Sequence, residues 1–368
     1  MTMTADDWQK DVQKYIKLHK ILQSDDDYVK ASINKALQKD YFEFVVGCLF
    51  ELIRNGMGQP KNVELLKQYF LDEKNRDIFL FHSTLFVYAR REYPELWSFE
   101  KRQMSAKLHC LYGRITQEAS NGVLMYPLAA EKVYDLRNYT AQTLWGPFRF
   151  DGSRMVDWEM VEAIMLVLVR NLRISRVFTH RFIQPIWDRP FVGVRYAEPN
   201  DVYGINGTWM RLVCMLDYDD LAAFNSAPER RFPVMANEAM RLIVERMWIT
   251  GVEPPGPEDD AAWPVVHFYG SSIPQHAHAD PTASGYANVK GYARMSKEGE
   301  VHWTTVVIFH GRERFRTEAV QVGGLRSAQG VIGCWFDRDY NPGGPAGPTA
   351  FWKISNEYDI GDSEGDKI

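Results

Sequence analysis

Apolar residues in the first half of the chain recur with the spacing of an α-helix. In residues 27–53 they are separated by steps of three, four and seven, at Val29, Ile33, Leu37, Phe44, Val45, Leu49 and Leu52. This spacing places them largely on one helix face. The stretches "NVELLKQYF" and "DIFLFHSTLFVYARREYP" follow the same rule, and Pro94 is predicted to end the second. The pattern therefore predicts a helical layer.

The clearest helix is predicted for "VDWEMVEAIMLVLVRNL". Asp157 is placed to cap its first turn, because an aspartate at that position can accept a hydrogen bond from a free backbone amide. Its predicted buried stripe consists of Val161, Ile164, Met165, Leu168 and Leu172.

The second half of the chain alternates between apolar and polar positions. Gly and Pro number 7 and 6 up to Val192 but 19 and 12 from Gly193 onward. Eight runs rich in Val, Ile, Thr and aromatics lie between these turn residues: "NGTWMRLVCMLDY", "AMRLIVERMWITGV", "PVVHFYG", "NVKGYARMS", "EVHWTTVVIFHG", "RFRTEAVQVG", "QGVIGCWFD" and "TAFWKIS". Short connections between eight successive strands favour an up-and-down antiparallel barrel, with a sandwich as the alternative.

These patterns predict an α+β protein with three parts. Residues 1–192 form a helical region that packs on an eight-stranded lipocalin-like β-barrel of residues 193–355, and residues 356–368 form a disordered acidic tail. Glycine at the end of Lys297-Glu298-Gly299 predicts a hairpin turn. The loops of residues 251–264 and 340–349 are rich in Pro and Gly and adjoin strand ends, where binding rims tend to lie.

The first strand has two chemically different faces. Met210, Leu212, Cys214 and Leu216 are all apolar, whereas the other face is mixed and carries Trp209, Arg211, Val213, Met215 and Asp217. An apolar outer face must be covered, and the helical region supplies the cover. The mixed face would then line the lumen, which in an eight-stranded barrel has room for one small ligand or a peptide end. The interpretation of Trp209, Trp303, Trp335 and Trp352 as plain core residues is favoured, and the charges of Arg211 and Asp337 on the mixed faces keep the pocket as the alternative.

Charge and cysteine content narrow the class of function. The net charge of −5 provides no basic field for nucleic acid, so DNA and RNA are not expected partners. The four cysteines form no Cys-x-x-Cys pair and are predicted to be buried and reduced. The start "MTMTADDW" has no signal segment, and the apolar run 163–169 is too short for a bilayer. A soluble protein of the cytoplasm or nucleus, with no membrane partner, is therefore expected.

Standard catalytic signatures are missing from the sequence, so a binding protein is favoured over an enzyme and no cofactor is expected. The one metal-like pattern is "QHAHADP", in which His276, His278 and Asp280 alternate. Imidazole and carboxylate groups on one side of an extended segment can bind zinc or iron. Because Pro274, Pro281 and Gly285 bracket the segment, a polar loop is favoured over a metal site.

Three long blocks resemble fungal F-box domain proteins: "WGPFRFDGSRMVDWEMVEAIMLVL", "GTWMRLVCMLDYDDLAAFN" and "GGLRSAQGVIGCWFDRDYNPGGPAGPTAFWKIS". "REYPELWSFEKRQMSAKLHCLYG" resembles their helical linker. In that family an F-box recruits a cullin ubiquitin ligase through Skp1, and a lipocalin-like barrel follows. Residues 1–90 lack the Leu-Pro pair that opens an F-box and resemble the region after it.

The resemblance implies a substrate receptor that binds a protein or peptide client, with Skp1 and cullin as further partners. The predicted ligand site is the lumen and rim: Trp209, Arg211, Trp303, Thr305, Trp335, Asp337 and Arg338. Arginine would pair with a carboxylate or phosphate, and tryptophans would supply apolar area. The alternatives are a small-molecule carrier or barrel enzyme, for instance of secondary metabolism, and a metal-dependent enzyme centred on His276, His278 and Asp280.

Overall fold

The protein is an α+β structure in which helices cover one side of a closed antiparallel barrel. The computed structural model describes residues 5–24, 39–56, 60–93, 97–113, 115, 118, 122–174, 201–226, 238–274, 286–325, 327, 330–341 and 343–357. In these ranges there are nine α-helices and eight strands. The predicted fold class is confirmed. The boundary near residue 193 and residues 358–368 of the predicted tail lie outside the described residues.

The helices lie mostly before the barrel. Their bounds are α1 Ala5–Leu22, α2 Lys39–Gly56, α3 Pro60–Tyr69, α4 Glu73–Phe79, α5 Thr84–Ala89, α6 Phe99–Tyr112, α7 Tyr126–Tyr134, α8 Trp158–Ile174 and α9 Tyr218–Ser226. The predicted cap of α8 is confirmed, since Oδ1 of Asp157 accepts hydrogen bonds from the backbone amides of Glu159 at 3.1 Å and Met160 at 3.2 Å. Of the helix predicted over 27–53, residues 27–38 lie outside the described residues, and the rest belongs to α2. No helix in the described ranges is long and apolar enough to cross a membrane.

The prediction of one helix through "DIFLFHSTLFVYARREYP" is wrong, because the chain leaves the helix after α4 and starts again at α5. His82 lies in the break and is buried, with its ring 3.8 Å from that of Trp97. Its Nε2 bonds to the carbonyl of Ile78 at 2.7 Å, and Ser83 takes the extended conformation that precedes a new helix. The buried packing of His82 therefore determines where the helix ends, although the apolar spacing of the sequence would allow it to continue.

The eight strands pair in sequence order and close on themselves. Their bounds are β1 Gly207–Met215, β2 Ala239–Glu253, β3 Val265–Pro274, β4 Ala287–Met295, β5 Val301–Phe309, β6 Arg312–Gln321, β7 Val331–Asp337 and β8 Ala346–Ser355. Strand β1 pairs with both β2 and β8, so the barrel alternative is confirmed over the sandwich. The predicted hairpin turn is also present: Gly299 has φ 81° and its amide donates to the carbonyl of Ser296 at 2.9 Å.

The outer face of one side of the barrel is apolar and buried under helices. On β1 it comprises Met210, Leu212 and Cys214, which belong to the same core cluster as the helical residues. Ile332 and Cys334 on β7, and Ala350 and Trp352 on β8, continue this stripe around the barrel. Helix α8 packs against β1, β7 and β8. The prediction that helices cover the apolar face of β1 is thus confirmed.

A partly buried carboxylate joins the helical layer to the start of β2. Glu238 accepts hydrogen bonds from the hydroxyls of Tyr126 and Tyr134 on α7, the second at 2.9 Å, and from the amide of Asn171 on α8. The Arg170 guanidinium lies 3.6 Å from the ring centroid of Tyr126. Burial raises the pKa of Glu238, although its donors and Arg170 oppose the rise.

Removing one donor should weaken this junction. We expect Tyr134→Phe to lower the free energy of unfolding by about 1–2 kcal/mol, because the partly buried Glu238 carboxylate loses its hydrogen bond from the buried side chain of Tyr134. Urea denaturation measures the loss. Tyr93→Phe is the matched control, since Tyr93 is 75% exposed and the same atom is removed there. Equal effects of the two substitutions would contradict a structural role for the Glu238 cluster.

The raised pKa of Glu238 has a consequence for stability at different pH. The folded protein holds this proton more tightly than the unfolded chain, whose carboxyl titrates near 4.5. The contribution of Glu238 is therefore complete below pH 4.5 and is lost as pH rises through the higher folded pKa. We expect the stability of Glu238→Gln relative to the native protein to increase over that window and then level off. Urea denaturation from pH 4 to pH 8 tests this, and an opposite slope would contradict it.

Candidate functional site

The barrel interior holds most of the residues predicted to bind a ligand. Trp209, Trp303 and Thr305 belong to inward-facing rows of β1 and β5, and all three are buried. Trp335 continues the inward row of Val331 and Gly333 on β7. The structure therefore brings the predicted luminal residues of three strands together inside one barrel.

The indole N–H groups of the three luminal tryptophans all bond within the protein. Trp209 donates to the carbonyl of Ile205 at 2.8 Å, Trp303 to the side chain of Gln321 at 3.1 Å, and Trp335 to the carbonyl of Cys214 at 2.9 Å. The rings of Trp209 and Trp303 lie 5.4 Å apart in a luminal apolar cluster. Their polar atoms are thus engaged in the fold, which matches the interpretation of these residues as core.

Arg211 spans the lumen and bonds to three other strands. Its guanidinium donates to Glu245 Oε1 on β2 at 3.2 Å, to Thr317 Oγ1 on β6 at 2.9 Å and to Thr349 Oγ1 on β8 at 3.3 Å. Glu245 has no exposed surface, and burial raises its pKa while Arg211 lowers it. A buried charge needs such a partner, so the main role of Arg211 in this structure is to neutralise Glu245.

Two oxygens in this layer have no hydrogen-bond partner among the described residues. They are Glu245 Oε2 and Thr305 Oγ1, both on buried side chains. Further toward the end of the lumen at which β1 finishes, the inward residues Met215, Ile243, Phe309 and Phe315 are only partly buried. This end is more accessible than the opposite one, where Tyr203 and Ile205 join the luminal cluster.

The last two predicted site residues lie at the end of β7. Asp337 is partly buried and accepts a hydrogen bond from the Asn341 amide at 2.6 Å. Arg338 lies outside the lumen, because its side chain is 51% exposed and pairs with Glu313 at 3.0 Å. The weak metal candidates His276, His278 and Asp280 fall outside the described residues. In the part of the chain that the structure describes, no cluster of His, Cys, Asp or Glu could hold a metal ion.

Two open surface grooves lie outside the barrel. The first, here the arginine groove, has a volume of about 480 Å³ and is lined by Arg154, Arg294, Arg316, Asp259, Glu318 and His267 among others. The second, here the asparagine groove, has a volume of about 630 Å³ and is lined by Tyr139, Tyr218, Asn225, Asn341, Gly343 and Pro345 among others. Trp145 and Tyr340 line both and form the ridge between them.

The ridge is an aromatic stack built on unusual backbone. The ring centroids of Trp145 and Tyr340 are 3.9 Å apart, and Phe336 lies 5.4 Å from Tyr340. Trp145 has φ 56° and Tyr340 φ 55°, and Leu144 and Arg154 beside them have φ 51° and φ 62°. Each left-handed residue that is not glycine costs on the order of 1 kcal/mol, and such residues concentrate at functional sites. The strained positions thus coincide with the lining of the arginine groove.

The position of Trp145 is fixed by the residues that follow it, which pack on the barrel. A Cβ added to Gly146 would lie 2.6 Å from Cβ of Glu318, so only glycine permits this approach. Phe148 stacks on His302 with ring centroids 4.7 Å apart. Burial lowers the pKa of His302 to about 3, with the Arg294 charge as a smaller cause, so the ring stays neutral.

Of the predicted site residues that the structure describes, only Asp337 lines a groove, the asparagine groove, although two loops that line the grooves are predicted as binding rims. The Pro/Gly loops of residues 251–264 and 340–349 supply Gly256 and Asp259 to one groove and Gly343 to the other. The ridge itself joins residues from distant parts of the chain, which alternation within one strand does not reveal. Tryptophan and tyrosine do not favour the left-handed conformation, so the sequence gives no indication that Trp145 and Tyr340 adopt it.

The chain matches no profile of a protein family, no characterised protein and no solved structure. A functional assignment therefore depends on the geometry of the lumen and of the two grooves.

The pairing of Arg211 with Glu245 leads to a stability prediction. We expect Arg211→Met to lower the free energy of unfolding by about 3–5 kcal/mol, because it leaves a buried carboxylate without its partner. The double variant Arg211→Met with Glu245→Met should regain most of the loss, since it removes both charges. Urea denaturation of the two variants measures this, and a single variant as stable as the native protein would contradict it.

Proposed function

We propose that this protein recognises another polypeptide, and that the paired grooves on either side of the Trp145–Tyr340 ridge form the binding surface. The observation that carries the proposal is the ridge itself, an aromatic stack between two open grooves of about 480 and 630 Å³. Aromatic and arginine side chains dominate the binding energy at protein interfaces. An open surface with charged rims suits a peptide better than a small molecule, which needs enclosure.

The arrangement of the sequence blocks supports the same surface. Trp145 lies in the first of the three blocks that resemble fungal F-box proteins, Tyr218 and Asn225 in the second, and Phe336 and Tyr340 in the third. All of these residues line the asparagine groove. The three blocks thus converge on one surface, as expected for a receptor that binds a client protein there.

The proposal extends to the ubiquitin system only through that resemblance. A receptor of this kind in the cytoplasm or nucleus would bind Skp1 and a cullin as well as its client. Purified protein mixed with purified Skp1 tests this part separately by size-exclusion chromatography. Co-elution supports a ligase receptor, and separate elution leaves client recognition as the whole of the function.

A small ligand in the lumen is the second candidate function. The observation that favours it is the pair of unpartnered buried oxygens, Glu245 Oε2 and Thr305 Oγ1, in the buried part of the lumen. A ligand with hydrogen-bond donors would satisfy both. Native mass spectrometry of the purified protein tests this candidate, because a bound metabolite would appear as a discrete added mass.

Loss of the ridge should weaken peptide recognition. A random peptide library displayed on phage and selected on the native protein provides ligands. We expect Trp145→Ala to weaken the selected peptides by about thirtyfold, because a central aromatic anchor contributes on the order of 2 kcal/mol. Fluorescence polarisation with labelled synthetic peptides measures the change.

Trp248→Ala is the matched control for this experiment. Trp248 is also a partly buried tryptophan on the outside of the barrel, where it contacts Tyr269 at 5.8 Å, and it lines neither groove. Equal losses in the two variants, or a library that yields no specific peptide, would contradict the proposed function.

A further inference from the structure

The arginine groove contains more hydrogen-bond donors than its own acceptors use. Three guanidinium groups line it, those of Arg154, Arg294 and Arg316. Two carboxylates, Asp259 and Glu318, lie deeper and are 8% and 5% exposed. The binding chemistry of the groove depends on which of these groups are already satisfied.

Both buried carboxylates are satisfied by the protein. Asp259 accepts from Arg294 Nη1 at 2.7 Å through one oxygen and from the Gly256 amide at 2.9 Å through the other. Glu318 accepts from Arg316 Nε at 2.7 Å and from the Thr304 hydroxyl at 2.8 Å, again through separate oxygens. Neither carboxylate has an oxygen left without a donor.

The arginines retain donors toward the groove. Among the described residues, Arg294 forms its ion pair through Nη1 alone, and its side chain is 18% exposed. Arg316 forms its ion pair through Nε and Nη2, and its side chain is 32% exposed. Arg154 is exposed at the groove and has no ion pair within the described part of the chain. A guanidinium carries five N–H groups and accepts no hydrogen bond, so these spare positions can only be filled by an acceptor.

We infer that the arginine groove binds a carboxylate side chain of an acidic peptide segment, beside the ridge that takes its apolar residues. This inference rests on the proposed function and names the class of peptide that the surface selects. A planar carboxylate matches the fork of a guanidinium in a bidentate pair. Glu253 also lines the groove, with Oε2 3.1 Å from His267 Nε2, so three carboxylates face three guanidinium groups and their formal charges cancel. Directed N–H groups, rather than net charge, therefore attract the carboxylate.

The first experiment uses a probe that does not depend on peptide recognition. Protein labelled with ¹⁵N-arginine is titrated with N-acetyl-glutamate amide, and with N-acetyl-glutamine amide as the neutral isostere. We expect the Nε–H signal of Arg294 to move with the first probe and not with the second, with Arg294→Lys used for assignment. An Nε–H signal that moves equally with both probes, or with neither, overturns the inference even if peptides bind at the ridge.

The second experiment measures selectivity with the selected peptides. Replacing Asp and Glu in them by Asn and Gln should weaken binding about tenfold, the effect of losing one charge-assisted hydrogen bond. Arg154→Glu should remove the difference between the acidic and amidated peptides. Arg91→Glu is the matched control, because Arg91 is also exposed, has φ 59° and lies in the helical layer.

The outcomes separate the two proposals. If Trp145→Ala weakens binding as expected but acidic and amidated peptides bind equally, the proposed function stands and the carboxylate inference fails. If the Arg294 signal responds to the glutamate probe while no peptide is selected, the groove binds carboxylates and the recognition of peptides fails. Binding of phosphoserine peptides without binding of acidic ones also overturns the choice of a carboxylate.

Discussion

The apolar stripe on the outside of β1, β7 and β8 is the constraint on which the rest of the structure depends. Strand side chains alternate between two faces, so a barrel with apolar residues on both must be covered on the outside. Helix α8 provides the cover, and almost every residue from Trp158 to Val169 is buried as a result. The barrel and the helical layer thus share one core, and each lacks a complete core without the other.

The same constraint explains where a surface remains free for binding. Strands β3, β4 and β6 carry the outward polar or charged side chains of His267, Arg294 and Arg316, which helices could not cover without a desolvation penalty. Among the described residues, the segment before α8 packs on this side of the barrel, with Gly146 against Glu318 and Phe148 against His302. The two grooves are the spaces that this narrow contact leaves on either side of Trp145.

The sequence predicts the barrel well because the information is local. Alternation within β1 separates Met210 from Arg211, the need to cover an apolar face with helices favours Met210 as the outer one, and glycine at 299 is enough to place a turn. It fails where packing outweighs local pattern, as at His82, whose stacking on Trp97 divides a predicted helix. It also misses the ridge, because Trp145 and Tyr340 meet only after the barrel has closed and the segment before α8 has returned to it.

Arg211 shows that predicting the correct position of a residue does not by itself establish its function. The alternation of β1 places this buried charge in the lumen, where it must either be paired or be used for binding. The structure supplies the pair in Glu245, together with two threonine hydroxyls, so the cation is accounted for inside the fold. Arg154, Arg294 and Arg316 differ from it because their spare N–H groups face a groove that is open to solvent. Between arginines of equal charge, it is the unused donors that mark the binding surface.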